Sequence, residues 1–124
     1  MSAYGGIDLG GTKIQALVVS PRNKVLGSAR RKTPTSGGPE HVAREMEAAM
    51  RDAAHVAGVE VLELVGVGAG SPGVVRDGSV TSARNLPGWD GTFALADHLQ
   101  RALGVPVRIG NDVGVALEAE VRLG

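Results

Sequence analysis

Three short stretches of the 124-residue chain hold residue types whose spacing could do chemistry. The first is Gly6-Ile7-Asp8-Leu9-Gly10-Gly11-Thr12-Lys13, an acid followed by two glycines, a hydroxyl and an amine. Backbone N–H groups bared by glycines can cradle phosphate oxygens, and a carboxylate beside them can hold the hydrated magnesium ion that accompanies a nucleotide. The spacing is not that of a Walker loop, because GxxxxGK[ST] occurs nowhere in the chain. An ordinary glycine hairpin, with Asp8 capping its own turn, accounts for the same residues.

The second stretch is Gly68-Ala69-Gly70-Ser71-Pro72-Gly73. It satisfies GxGxxG literally, but a dinucleotide fingerprint must open a helix, and here Pro72 leads into Val74-Val75 and the Asp77-Gly78 turn. A serine-hydrolase elbow fails for the same reason. Its partners would have to be His98 and an acid such as Asp97 or Asp112, so a serine hydrolase stands only as a remote alternative. A tight turn that lets a ligand approach the backbone is the simpler account.

The third stretch, Arg108-Ile109-Gly110-Asn111-Asp112-Val113, puts a carboxylate after an apolar strand and at the start of a helix. In open α/β sheets, ligand sites collect at the carboxyl ends of strands, so Asp8, Gly73 and Asp112 can converge on one crevice. Asp112 would then suit a base that accepts a hydroxyl proton as a bond to phosphorus forms. The plainer account of Asn111-Asp112 is a cap and a dipole-complementing acid. His41, His55 and His98 lie on expected helices without metal-ligand spacing.

These groups must be positioned by elements in the order β-β-β-α-β-α-β-α. Ala3 to Leu9 and Lys13 to Val19 read as strands joined by a hairpin, with Gly10 and Gly11 expected at positive φ. A third strand from about Lys24 to Lys32 follows the Ser20 to Asn23 turn and completes a meander. Pro39 and Glu40 open a helix that places Val42, Met46, Ala49, Met50, Ala53 and Ala57 on one face, and Gly58 stops it. Val61 to Val67 reads as a buried strand, parallel to an earlier one. Two strand-like pieces around Val74 and Val80 flank the Asp77-Gly78 turn. A second helix is expected from about Thr92 to Leu103, with Leu95, Ala96, Leu99 and Leu103 inward and Gly104 as its stop. Val105 to Ile109 is one more strand, and Asn111 is expected to cap a third helix with Val113, Ala116, Leu117 and Val121 inward. The fold class is therefore α/β, a mixed five-stranded sheet flanked by helices, in one domain over residues 1–124.

Composition narrows the partners. Thirteen basic residues balance thirteen acidic ones, so no broad positive field is available for nucleic acid or an anionic membrane. Tyr4, Trp89 and Phe93 are the only aromatics, too few to stack successive bases. There is no cysteine, hence no disulfide, thiolate catalysis or cysteine-held zinc in this stretch. With no signal-peptide pattern and no long apolar run, a cytoplasmic protein with a small-molecule or protein partner is expected.

Taken together, GIDLGGTKIQALVV, GAGSPGVV, the NLPGW segment Asn85 to Trp89, and GVPVRIGNDVGVALEAE resemble the ROK family of sugar kinases and related repressors. The likeness covers essentially the whole chain and is greatest to the family's bacterial glucokinases. Four ordered motifs are far more specific than one. The resemblance implies an actin-like, ribonuclease-H-like ATPase lobe, with ATP phosphates over the first hairpin and a hexose in a crevice between two lobes. Matched residue by residue, Asp8, Gly10, Gly11, Thr12 and Lys13 would serve ATP phosphate and Mg2+, with Asp8 reaching the metal through water. Gly73, Asn85, Asn111 and Asp112 would serve the sugar, and Asp112 would be the catalytic base.

The sequence departs from the family pattern at Gly110, where many members carry glutamate, and at Val113-Gly114, which replace the usual Ala-Asn. The family's zinc motif, histidine and glutamate sugar ligands, second phosphate loop and adenine pocket lie downstream of residue 124, so zinc is expected only in a second lobe. Family repressors carry a DNA-binding segment ahead of the first loop, for which Met1 to Gly6 leaves no room. The expectation is the amino-terminal lobe of an ATP-dependent hexose kinase converting glucose to glucose 6-phosphate, dimeric when complete and inactive as this chain alone. A non-catalytic sugar-binding or regulatory domain is the alternative, and polyphosphate is a second candidate donor.

Overall fold

A computed structural model describes residues 2–81, 89, 91–114 and 116. Its centre is a five-stranded sheet in the order β3-β2-β1-β4-β8. The strands are β1 (Ala3–Leu9), β2 (Lys13–Val19), β3 (Val25–Lys32), β4 (Leu64–Gly70) and β8 (Val107–Gly110). β1, β2 and β3 form the antiparallel meander, whereas β1, β4 and β8 run parallel. The mixed five-stranded sheet is thus the one the sequence led us to expect.

Because strand side chains alternate, register assigns each residue a face. Gly5, Ile7 and Leu9 share one face with Ile14, Ala16 and Val18 of β2 and with Gly27, Ala29 and Arg31 of β3. Helix α1 (Gly38–Ala57) covers that face with Val42, Met46, Ala49, Met50 and Ala53. Gly27 is required there, since a Cβ would lie 2.6 Å from Ala57 N and 2.7 Å from Ala53 O. Gly37 precedes the helix and Gly58 ends it, both in the left-handed region. Helix α2 (Leu95–Leu103) packs beside α1 and buries Leu95, Leu99 and Leu103.

A second sheet of β5 (Val74–Arg76), β6 (Ser79–Thr81) and β7 (Thr92–Phe93) follows the glycine-rich loop. Its first turn places both Asp77 and Gly78 at positive φ, the pattern that matches strand twist in a two-residue hairpin. Trp89 is buried, donates its Nε1–H to Val80 O at 3.2 Å and meets the Phe93 ring edge-on at 5.8 Å.

Several expectations need correction. Residues 61–63 form a 3-10 turn, not the start of a strand, because Glu60 and Glu63 make a reciprocal capping box. Thr92 and Phe93 pair with β6, which delays α2 to Leu95, and Ala96 is only half-buried. Strand β8 starts at Val107 rather than Val105, and β3 at Val25. Gly10 and Gly11 do not adopt the positive φ expected of them. Gly10 is needed for space instead, its Cβ position lying 3.0 Å from Lys13 O. Of the third helix, residues 113, 114 and 116 are described as helical, with Ala116 inward; Leu117 and Val121 lie outside the described residues. No helix among the described residues is long and apolar enough to cross a membrane.

Candidate functional site

The face of the sheet opposite α1 carries the chemistry-bearing residues. Parallel register aligns Asp8 of β1 with Gly70 of β4, and Gly70 with Gly110 of β8. Three strand ends therefore stop at one level, as a crevice outside carboxyl ends requires. A Cβ on Gly70 would lie 2.5 Å from Val113 N, and one on Gly6 would lie 3.4 Å from Val113 Cγ2. Gly6 and Asp8 point to the same face, being two residues apart in a strand. The helical turn at Asp112-Val113 consequently sits over a glycine-lined strip of sheet on the side to which Asp8 points.

Asp8 is the exposed residue within an otherwise buried strand. Its carboxylate makes no hydrogen bond or ion pair among the described residues, so Asp8 does not cap the turn. Beyond it, Gly10 N–H donates to Lys13 O at 3.0 Å and closes the hairpin. Thr33, just past β3, donates its hydroxyl to Gly10 O at 2.7 Å and its N–H to Thr12 O at 3.1 Å. The amides of Gly11 and Thr12 are taken up by none of these bonds, and Gly11, Thr12 and Lys13 are all exposed. Two open amides, a hydroxyl and an ammonium beside an unpaired carboxylate fit a phosphate chain with its hydrated cation. No cluster of three or more His, Asp or Glu occurs among the described residues, so any cation here would keep mostly water and phosphate ligands.

At the end of β4, Ser71 N–H donates to Gly110 O at 2.9 Å, prolonging the parallel pairing into the loop. Gly73 adopts φ 92°, a conformation that other residues reach only under strain. Asn111 turns its Nδ2 onto this loop, donating to Gly73 O at 2.7 Å and to Ser71 O at 3.2 Å. The helix cap belongs instead to Asp112, whose Oδ1 accepts the Gly114 N–H at 2.6 Å. The expected cap on Asn111 is thus displaced by one residue, with the Asn111 side chain oriented by its Nδ2 bonds to the loop carbonyls and the Asp112 oxygen accepting from the helix start. Asn85 lies outside the described residues.

Nothing supports a hydrolase triad. The Ser71 side chain is 2% exposed and its hydroxyl donates to Pro72 O at 3.0 Å. His98 sits on α2 against the Phe93 ring at 5.5 Å. Sequence reading missed Thr33, since no local spacing ties it to a hairpin more than 20 residues upstream.

The chain matches the ROK family over residues 4–124. It is 32% identical over 117 residues to a glucokinase from Thermotoga maritima, covering 93% of this chain and 35% of that protein. A crystal structure of a ROK family glucokinase from Streptomyces griseus in complex with glucose and AMPPNP superposes with a TM-score of 0.75 at 31% identity, covering 88% of this chain and 33% of that one. The inorganic polyphosphate/ATP-glucomannokinase from Arthrobacter sp. strain KM superposes with a TM-score of 0.76 at 30% identity, covering 90% and 45% respectively. The chain spans about a third of the length of the curated relatives it matches. Its sheet and helices are those of the actin-like lobe of ROK kinases, and the chain belongs to the ROK family.

Proposed function

We propose that this chain is the amino-terminal lobe of an ATP-dependent hexose kinase whose preferred sugar is glucose. One observation carries the reading. Asp8 with its open hairpin, and Asp112 beside the Asn111-clamped loop, lie at the carboxyl ends of β1 and β8, the two parallel strands that flank β4. The similarity to a ROK family glucokinase with bound glucose and AMPPNP supports the same assignment.

In this reading the amides of Gly11 and Thr12, the Thr12 hydroxyl and the Lys13 ammonium bind phosphate oxygens of the donor. Asp8 would hold the magnesium that accompanies the nucleotide, which when bound would supply charge neutralisation on the phosphates. Gly73, Asn85 and Asn111 orient the hexose. The Asp112 carboxylate takes the proton of the sugar's 6-hydroxyl as its oxygen bonds to the γ-phosphorus. The bond from that phosphorus to the bridging oxygen breaks, and its electron pair leaves with ADP. The Gly114 N–H on Oδ1 fixes the Asp112 rotamer, which is the positioning that phosphoryl transfer depends on. In this reading a second lobe closes the crevice and this chain alone is inactive; the complete enzyme is proposed to be a dimer.

A coupled assay of the complete enzyme against a hexose panel, with ATP and polyphosphate in parallel, tests the reading. Glucose phosphorylation from ATP is expected. Sugar binding without phosphoryl transfer from either donor would instead identify a regulatory sugar-binding protein.

A further inference from the structure

We infer that Thr33 is the positioning residue of the phosphate hairpin: its hydroxyl and amide hold the Gly10 and Thr12 carbonyls inward, so that the hairpin's amides stay presented to phosphate. This rests on the reading of that hairpin as a phosphate site. Thr33 is 5% exposed and comes from outside the hairpin, at the end of the third strand of the meander. Its Oγ1–H donates to Gly10 O at 2.7 Å and its N–H donates to Thr12 O at 3.1 Å.

The consequence follows from peptide planarity. Every peptide bond described is trans, and in a trans peptide the N–H points opposite to the C=O of the same unit. With Gly10 C=O drawn toward Thr33, the N–H of Gly11 must point away from it. In a regular ladder, Thr12 N–H would return the bond to Thr33 O; no such bond forms, which leaves that amide available. Neither glycine sits at positive φ, so the loop is not fixed by the I′ or II′ conformation usual in two-residue hairpins. Without the Thr33 hydroxyl, the flexible Gly10-Gly11 pair would have only the Gly10 N–H bond to Lys13 O to hold its peptide planes. Preorganised amides bind an anion without the ordering cost that a floppy loop incurs.

The test uses the complete enzyme labelled with nitrogen-15, titrated with magnesium ATP while amide shifts are followed. Thr33→Val removes the hydroxyl at nearly constant shape, Thr33→Ala removes it with less bulk in case valine prevents folding, and Thr33→Ser restores it. We expect the Gly11 and Thr12 amides to shift in wild type. The dissociation constant should rise about five- to tenfold in the valine or alanine variant, as for loss of one hydrogen bond, and recover with serine. Glucose-induced shifts at Gly73 and Asn111 should stay unchanged in all variants, which a general loss of structure would not permit. Equal nucleotide affinity in wild type and the hydroxyl-free variants would overturn the role of Thr33 while leaving the phosphate site intact. No hairpin shift in wild type would overturn the phosphate site itself and the inference with it.

Discussion

The Asn111 side-chain amide donates to the carbonyl of Gly73 at 2.7 Å across 38 residues of sequence, and to Ser71 at 3.2 Å. Two carbonyl acceptors fix which end of the amide faces the loop, because only the nitrogen can donate. Oδ1 is thereby turned away from the clamp. A hexose hydroxyl reaching Asn111 would therefore donate to Oδ1 rather than accept from the side chain.

Asn111→Asp sets a carboxylate against two carbonyl oxygens and leaves both without their donor. It should cost about 2–3 kcal/mol of stability. Amide exchange at Ser71, whose N–H is held by Gly110 O, should quicken as the loop loosens, and hexose affinity in the complete enzyme should fall about tenfold or more. Urea denaturation and hydrogen exchange read the first two effects, and unchanged stability with unchanged exchange at Ser71 would contradict the clamp.

The close approach of strand β4 to the third helix makes a second prediction. Gly70→Ala puts a methyl 2.5 Å from Val113 N, against backbone that cannot rotate aside. The cost should be about 1–3 kcal/mol, as for overpacking. Gly91→Ala, with nothing among the described residues within 4 Å, serves as the control and should lie within about 0.5 kcal/mol of wild type. Equal midpoints for the two variants in denaturant would argue against the packing described.

Arg31 on β3 pairs with Glu45 at 2.7 Å and with Asp52 at 2.8 Å, both on α1. Its guanidinium is held above its ordinary value, first by the hydrogen bond it donates to Glu45 and then by the one it donates to Asp52. A folded-state value raised in this way contributes stability that is complete below the unfolded value and lost only as pH rises through the folded one. Both lie beyond ordinary alkaline conditions, so the contribution of Arg31 itself should not vary between about pH 6 and pH 9. The partners are partly exposed, at 37% for Arg31 and 49% for Asp52, so solvent screens the pairs. Arg31→Gln should cost no more than about 1 kcal/mol, and the difference should shrink in high salt. A loss of several kcal/mol, insensitive to salt, would contradict a screened surface network.

Much of this architecture was legible because it rests on local rules. The alternation in Lys13 to Val19, the apolar stripe from Val42 to Ala53, and the glycine stops at Gly58 and Gly104 each follow from periodicity or φ. The misreadings occurred where a distant or reciprocal contact overrode the local rule. Residues 61–63 carry strand-like side chains, yet the Glu60–Glu63 capping box bends them. Thr92 reads as the first residue of a helix until pairing with Thr81 claims it. Asn111 looks like a cap because its neighbours do not reveal the Gly73 carbonyl that takes its amide. At the site, strand ends could be aligned from sequence, which brought Asp8 and Asp112 together. Thr33 could not be found that way, since its bonds to the hairpin arise only from the meander's register.

The most direct test of the account is the turnover of Asp112→Asn in the complete enzyme with glucose and ATP. Asparagine keeps an oxygen able to accept the Gly114 N–H, so the helix start should survive while the base is lost. Turnover should fall about 10²- to 10⁴-fold, the range for removing a general base, with the dissociation constant for glucose within a few-fold of wild type. Near-wild-type turnover would contradict the assignment of Asp112 and, with it, the reading of this strand-end crevice as a phosphoryl-transfer site.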